Sequence, residues 1–157
     1  MVLEYCPGED LSFHLARQLL EENEARFFIA EIILALEHLH NMDVIYLDLK
    51  PENILFDQEG HVKLADFGLV NDKMDLNMKA KTFRGSSTNL SLEIVKKIGY
   101  GKDADIYGIG AILYEMLTGT PPVYSKINSL TNDINENKII FPNYISKEAR
   151  SFIGVNI

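Results

Sequence analysis

The chain has 157 residues, 46% of them hydrophobic and 24% charged, a composition that supports one domain with an apolar core and excludes a disordered polymer. Its formal charge of -8 disfavours nucleic acid and anionic membrane as partners, because both demand clustered Lys and Arg, and suits basic proteins or peptides instead. Cys6 is the only cysteine, so an internal disulfide is excluded and a reducing cytoplasmic or nuclear setting is expected, with Cys6 as a small hydrophobe.

Taken in chain order, 1–5 are apolar and extended in character, and Pro7 with Gly8 breaks the run before a helix-prone segment starts at Asp10. Glu4, Glu9 and Asp10 interrupt the opening residues, which argues against a secretory signal. From Asn23, read as an N-cap, Phe28, Ile32, Ala35, Leu36 and Leu39 recur at helical spacing and predict a long amphipathic helix to about Asn41. His38 and His40 fall on it as packing and surface residues, since no second ligand pair at metal spacing accompanies them.

The apolar runs 54–56 and 61–64 flank Asp57, Gln58, Glu59 and Gly60, the turn chemistry of a small hairpin. Residues 71–90 are polar and without period, as in a long surface loop. A second helix is predicted over 103–118, with Gly119 as its stop and Pro121 beyond. The Asn-rich stretch 128–137 is helix-compatible, and Ser146 can cap a last helix through Ile153. The apolar patches at 29–39 and 106–117 contain Glu31, Glu37 and Glu115 and fall short of the roughly 18 to 20 residues of a membrane span.

The chemistry concentrates in Tyr46-Leu47-Asp48-Leu49-Lys50-Pro51-Glu52-Asn53, followed after the hairpin by Asp66-Phe67-Gly68. Phosphoryl transfer needs one carboxylate near the substrate hydroxyl and separate oxygen ligands for Mg²⁺, because a base occupied by metal cannot accept the proton. Asp48 can be the first, Asn53 and Asp66 the second, and Lys50 can neutralise charge on the moving phosphoryl group. In this order and spacing the two motifs resemble the catalytic loop and the metal motif of eukaryotic protein kinases, and Lys50-Pro51 resembles the Ser/Thr branch.

The resemblance runs along the whole chain. VLEYCPGEDLSFHL at 2–15 is similar to the hinge and following helix of the AGC group, and IIFPNYISKEARSFI at 139–153 to ribosomal-S6-type kinases. It implies ATP and Mg²⁺ as cofactors, backbone hydrogen bonds from Glu4 and Cys6 to adenine, Leu55 beneath the ring and Asp10 near the ribose. KTFRGS at 81–86 resembles the activation segment, which implies Thr82 as a phosphorylation site for an upstream activating kinase and Ser86 as a hydroxyl contacting Asp48 and Lys50. Asp105 falls where a helix-borne Asp anchors the catalytic loop. Asp10 and Glu52 stand where carboxylates pair with arginines near the target Ser or Thr of a protein substrate.

Three departures mark the sequence. Leu47 stands where most AGC members have the Arg that receives the activation-loop phosphate. GSSTNLSLE at 85–93 differs from the family's Tyr followed by Ala-Pro-Glu at Asn89 and Leu92, with Glu93 retained as a structural carboxylate whose Arg partner lies on a later helix, past Ile157. Within 1–157 no Gly-rich phosphate loop or strand lysine stands ahead of the hinge-like segment. The expected fold is therefore mostly α with a small β-hairpin, a kinase-like C-lobe with the N-lobe missing, and residues 1–157 form a partial kinase domain of hinge, catalytic loop, activation segment and core helices. Two functions compete: a Ser/Thr protein kinase present as a fragment, and a non-catalytic kinase-like protein-binding module.

Overall fold

A computed structural model describes residues 3–68, 101–122 and 139–157. Its elements are α1 (Leu11–Leu15), α2 (Glu22–Asn41), a 3₁₀ turn (Pro51–Asn53), β1 (Ile54–Phe56), β2 (Val62–Leu64), α3 (Lys102–Thr118) and α4 (Lys147–Asn156). The expected loop at 71–90, the stretch 128–137 and the positions of Thr82, Ser86 and Glu93 lie outside the described residues.

Three of the four helices, α1, α2 and α4, begin where side chains satisfy first-turn amides, while α3 starts at Gly101 without a side-chain cap. Asp10 caps α1 by accepting from Phe13 N–H at 2.8 Å, and Ser146 caps α4 by accepting from Ala149 N–H at 3.0 Å. At the start of α2 the cap is Glu21, not Asn23: a Glu21/Glu24 capping box closes the first turn, with Glu21 N–H donating to Glu24 Oε2 at 2.9 Å. Asn23 instead lies inside the helix and accepts from Arg26. Gly119, at φ 76, ends α3 in the left-handed conformation that glycine adopts without penalty.

The core forms where α3 packs between α2 and α4. Ala25, Ile29, Ile32 and Leu36 make the inward stripe of α2, and Ile109, Ile112, Leu113, Met116 and Leu117 of α3 meet them. α3 is buried along nearly its whole length and has no polar face, as expected of a central helix. Ile112 and Met116 are fully buried, each worth about 1.5–3 kcal/mol of hydrophobic stabilisation.

β1 and β2 pair antiparallel with Ile54 opposite Leu64 and Phe56 opposite Val62. Asp57 organises the turn by accepting the amides of Glu59 and His61, and Gly60 takes φ 85. The extended run expected at 1–5 forms no strand among its described residues. The pairing lies slightly later: Gly8 N–H donates to Phe56 O, Phe56 N–H to Glu9 O, and Asp10 bridges Leu55. Leu3 and Tyr5 are left exposed. No helix among the described residues is long and apolar enough to cross a membrane.

Candidate functional site

The segment between α2 and β1 carries the site. Its backbone is fixed from α3: the Asp105 carboxylate, 1% exposed, accepts Tyr46 N–H at 2.9 Å through Oδ2 and Leu47 N–H at 2.7 Å through Oδ1. His40, at the end of α2, adds a third contact, Nε2 to Asp105 Oδ2 at 2.7 Å. In the sequence alone His40 reads as a packing or surface residue, because its partner lies 65 positions away and no local pattern reports such a pair.

Held this way, Leu47 adopts φ 65 and Asp66 φ 53, sparsely populated conformations that concentrate at functional sites. Leu47 is buried with Ile45 and Ala104 in a small apolar cluster. Tyr46 is fully buried, its hydroxyl donates to Ala65 O, and its ring meets Phe67 edge-on at 5.5 Å. Burial, then the nearby Asp48 and Asp66 carboxylates, push the Tyr46 phenol well above the usual tyrosine range.

Asp48, 4% exposed, is the point of convergence. Lys50 Nζ donates to its Oδ2 at 2.8 Å, and Asn53 Nδ2 donates to the same oxygen at 2.8 Å and to Asp48 O at 2.9 Å. The hydrogen bond to Asp48 raises the Lys50 ammonium above its ordinary value, so it stays charged. A buried carboxylate that accepts from a cation and an amide is placed where it could take a proton from a hydroxyl.

Asn53 and Asp66 come from opposite ends of the hairpin and are brought together by Ala65 N–H donating to Asn53 O at 2.9 Å. The Asn53 amide nitrogen is engaged by Asp48, which assigns its side-chain oxygen to any cation, and Asp66 supplies an exposed carboxylate that accepts from Gly68 N–H. Among the described residues no three His, Cys, Asp or Glu group to hold a metal. Two oxygens with room for waters and phosphate fit Mg²⁺, which keeps much of its hydration.

The remaining predicted residues lie along the joint of the N-terminal segment and β1. Leu55 is part-buried on β1 and bridged to Asp10, and Cys6 is part-buried. Glu4 is largely exposed and pairs with Lys63 at 3.4 Å. Asp10 has a second occupation: its Oδ1 holds the α1 cap and the Ser12 hydroxyl at 2.5 Å. Glu52 is exposed beside Lys50. A separate apolar cleft of about 360 Å³ between α2, α3 and α4, lined by Ile29, Ile33, Leu113, Leu117 and Phe152, contains none of these residues.

Compared with known families, residues 1–155 match the protein kinase domain. A ribosomal protein S6 kinase beta of Caenorhabditis elegans is 43% identical over 155 residues, covering 98% of this chain and 28% of the relative. A RAC family serine/threonine-protein kinase homolog of Dictyostelium discoideum is also 43% identical, covering 97% of this chain and 35% of the relative. The ribosomal protein S6 kinase alpha-3 of Homo sapiens is 40% identical, covering 98% and 21%. The chain thus spans about a fifth to about a third of the length of these relatives.

Proposed function

Because this chain belongs to the protein kinase family, we propose that it is part of a Ser/Thr protein kinase of the AGC group that transfers phosphate from ATP to Ser or Thr of protein substrates. In this reading 1–157 are the large lobe of the domain, from hinge through catalytic loop and activation segment to the core helices. The observation that carries it is the convergence of Lys50 and Asn53 on Asp48 Oδ2, with Asp66 tied beside Asn53.

Bound ATP and Mg²⁺ would supply the phosphoryl group and neutralise its charge. Asp48 would accept the proton of the substrate hydroxyl as its oxygen bonds to the γ-phosphorus and the bond from that phosphorus to the bridging oxygen breaks, ADP leaving with that oxygen, and Lys50 would offset the charge that develops. Asn53 and Asp66 would hold the metal. Backbone groups of Glu4 and Cys6 would meet adenine, Leu55 would pack below it, and Asp10, whose Oδ1 holds the helix cap, would offer its other carboxylate oxygen to the ribose. Glu52 and Asp10 favour substrates with arginine near the target residue. By the resemblance, Ser86 would meet Asp48 and Lys50, Thr82 would be the site for an upstream kinase and Glu93 would be structural, all three lying outside the described residues, and Asp105 is read as structural. A reducing intracellular compartment accords with the lone Cys6.

One observation favours a second reading, a non-catalytic protein-binding module: Leu47 is buried with Ile45 and Ala104 and offers a phosphate no charge. Incubation with γ-labelled ATP, Mg²⁺ and Ser/Thr peptides with and without arginine separates the two. Label on Ser or Thr, greater for the basic peptides, supports the kinase. A folded protein that labels none of them supports the module.

A further inference from the structure

Glu31 stands midway along α2, and its side chain is 21% exposed. Its two carboxylate oxygens serve two groups of the hairpin. Oε1 pairs with His61 Nδ1 at 2.5 Å, and Oε2 accepts Val62 N–H, the first amide of β2, at 2.8 Å. At the other end of the strand Ala65 N–H donates to Asn53 O, and Asp66 follows at once. β2 is therefore pinned at its start to a helix of the core and at its end to the catalytic loop.

We propose that Glu31 is a positioning residue, which fixes the start of β2 against α2 and thereby sets where Asp66 stands, with His61 tightening the hold when it is charged. The functional meaning rests on the reading of Asp66 as a metal ligand; the positioning itself is measurable without metal or nucleotide.

The charged groups facing His61 are Glu31 from α2 and Asp57 and Glu59 from the turn, while Lys63 on its own strand reaches Asp57 at 3.7 Å. The hydrogen bond to Glu31, and then its charge, raise the His61 value above that of free histidine, and the two turn carboxylates act in the same direction. A raised folded value makes the contribution complete below the unfolded value near 6.5 and removes it as pH climbs through the folded one. Neutral His61 still donates from Nδ1, so what is lost is the charge and not the bond.

Amide hydrogen exchange on the whole chain, corrected for intrinsic rate, tests this at Val62 and Ala65, with Ile112 of α3 as reference. Wild type should protect both amides about twofold to fivefold better at about pH 5.5 than at about pH 8.5, the scale of an exposed ion pair. Glu31→Ala should lower the protection of both by about tenfold. Glu31→Gln, which keeps an oxygen for Val62 N–H, should recover most of it and flatten the pH profile. His61→Gln should flatten the profile while leaving the Val62 bond in place. The inference is overturned if Glu31→Ala leaves Ala65 as protected as in wild type, or if Glu31→Gln and His61→Gln retain the wild-type pH profile; the latter decides even if Glu31→Ala unfolds. A wild-type chain whose Asp66 ignores Mg²⁺ would count against the kinase reading and leave these exchange results standing.

Discussion

Asp105 Oδ1 accepts the Leu47 amide at 2.7 Å from 58 positions further along the chain, and Leu47 stands at φ 65. A left-handed conformation costs an ordinary residue about 1–2 kcal/mol, and here it turns the chain immediately before Asp48. The buried carboxylate offsets that cost with two backbone hydrogen bonds, so a helix of the core dictates the shape of the loop that carries Asp48.

Replacing Asp105 with Ala leaves the Tyr46 and Leu47 amides unsatisfied and should destabilise the protein by about 2–5 kcal/mol in urea denaturation. His40→Ala removes one partner at the edge of the network and should cost about 1 kcal/mol. An Asp105→Ala loss no larger than that of His40→Ala would show that the loop holds its turn without the carboxylate.

Gly8 lies where a side chain has no room. A Cβ there would stand 2.6 Å from Phe56 Cβ and 2.7 Å from Phe56 O, the oxygen that already accepts Gly8 N–H at 2.9 Å. Gly8→Ala should therefore push residues 8–10 off β1, at about 1–3 kcal/mol, and, if these residues serve as the proposed hinge, weaken binding of a fluorescent ATP analogue. Wild-type affinity in a variant with lowered Tm would separate the hinge from the nucleotide.

Two buried phenols give the protein an alkaline limit. Burial pushes Tyr107, whose hydroxyl has no hydrogen-bond partner among the described residues, up to about 12, and Tyr46 is raised as well. In the unfolded chain both ionise near the ordinary value of about 10, so above it the folded state binds more protons and stability falls as pH rises. Each group contributes a slope of about 1.4 kcal/mol per pH unit between its unfolded and folded values. Urea midpoints at rising alkaline pH should show this decline, and Tyr107→Phe should make it shallower; an unchanged slope would mean that Tyr107 titrates as if exposed.

Much of this was legible in the sequence because the informative spacings are local. Asp48, Lys50 and Asn53 lie within one loop, and the turn residues 57–60 mark the hairpin that carries Asp66 back to them. Helical periodicity found α2 and α3, and the glycine stop of α3 fell at Gly119. What escaped depends on pairs far apart in the chain. His40 reads as a packing or surface residue until α3 brings Asp105 to it, and Glu31 reads only as a charge interrupting an apolar patch until the hairpin packs against α2. Asn23 looked like the α2 cap from its residue type alone, whereas the reciprocal Glu21/Glu24 box satisfies more of the terminus. The apolar start of the chain suggested a strand, but β1 pairs with 8–10 instead, where Gly8 allows the close approach.

The central claim is that Asp48 takes the proton during phosphoryl transfer from ATP to a Ser or Thr hydroxyl. Its most direct test is the rate of transfer from γ-labelled ATP to an arginine-containing Ser peptide, measured for wild type and Asp48→Asn, with circular dichroism confirming that both are folded. Wild type should show measurable transfer and the variant a loss of about 100-fold or more. Equal rates in the two proteins, or no transfer by a folded wild type that binds Mg²⁺ and ATP, would contradict it.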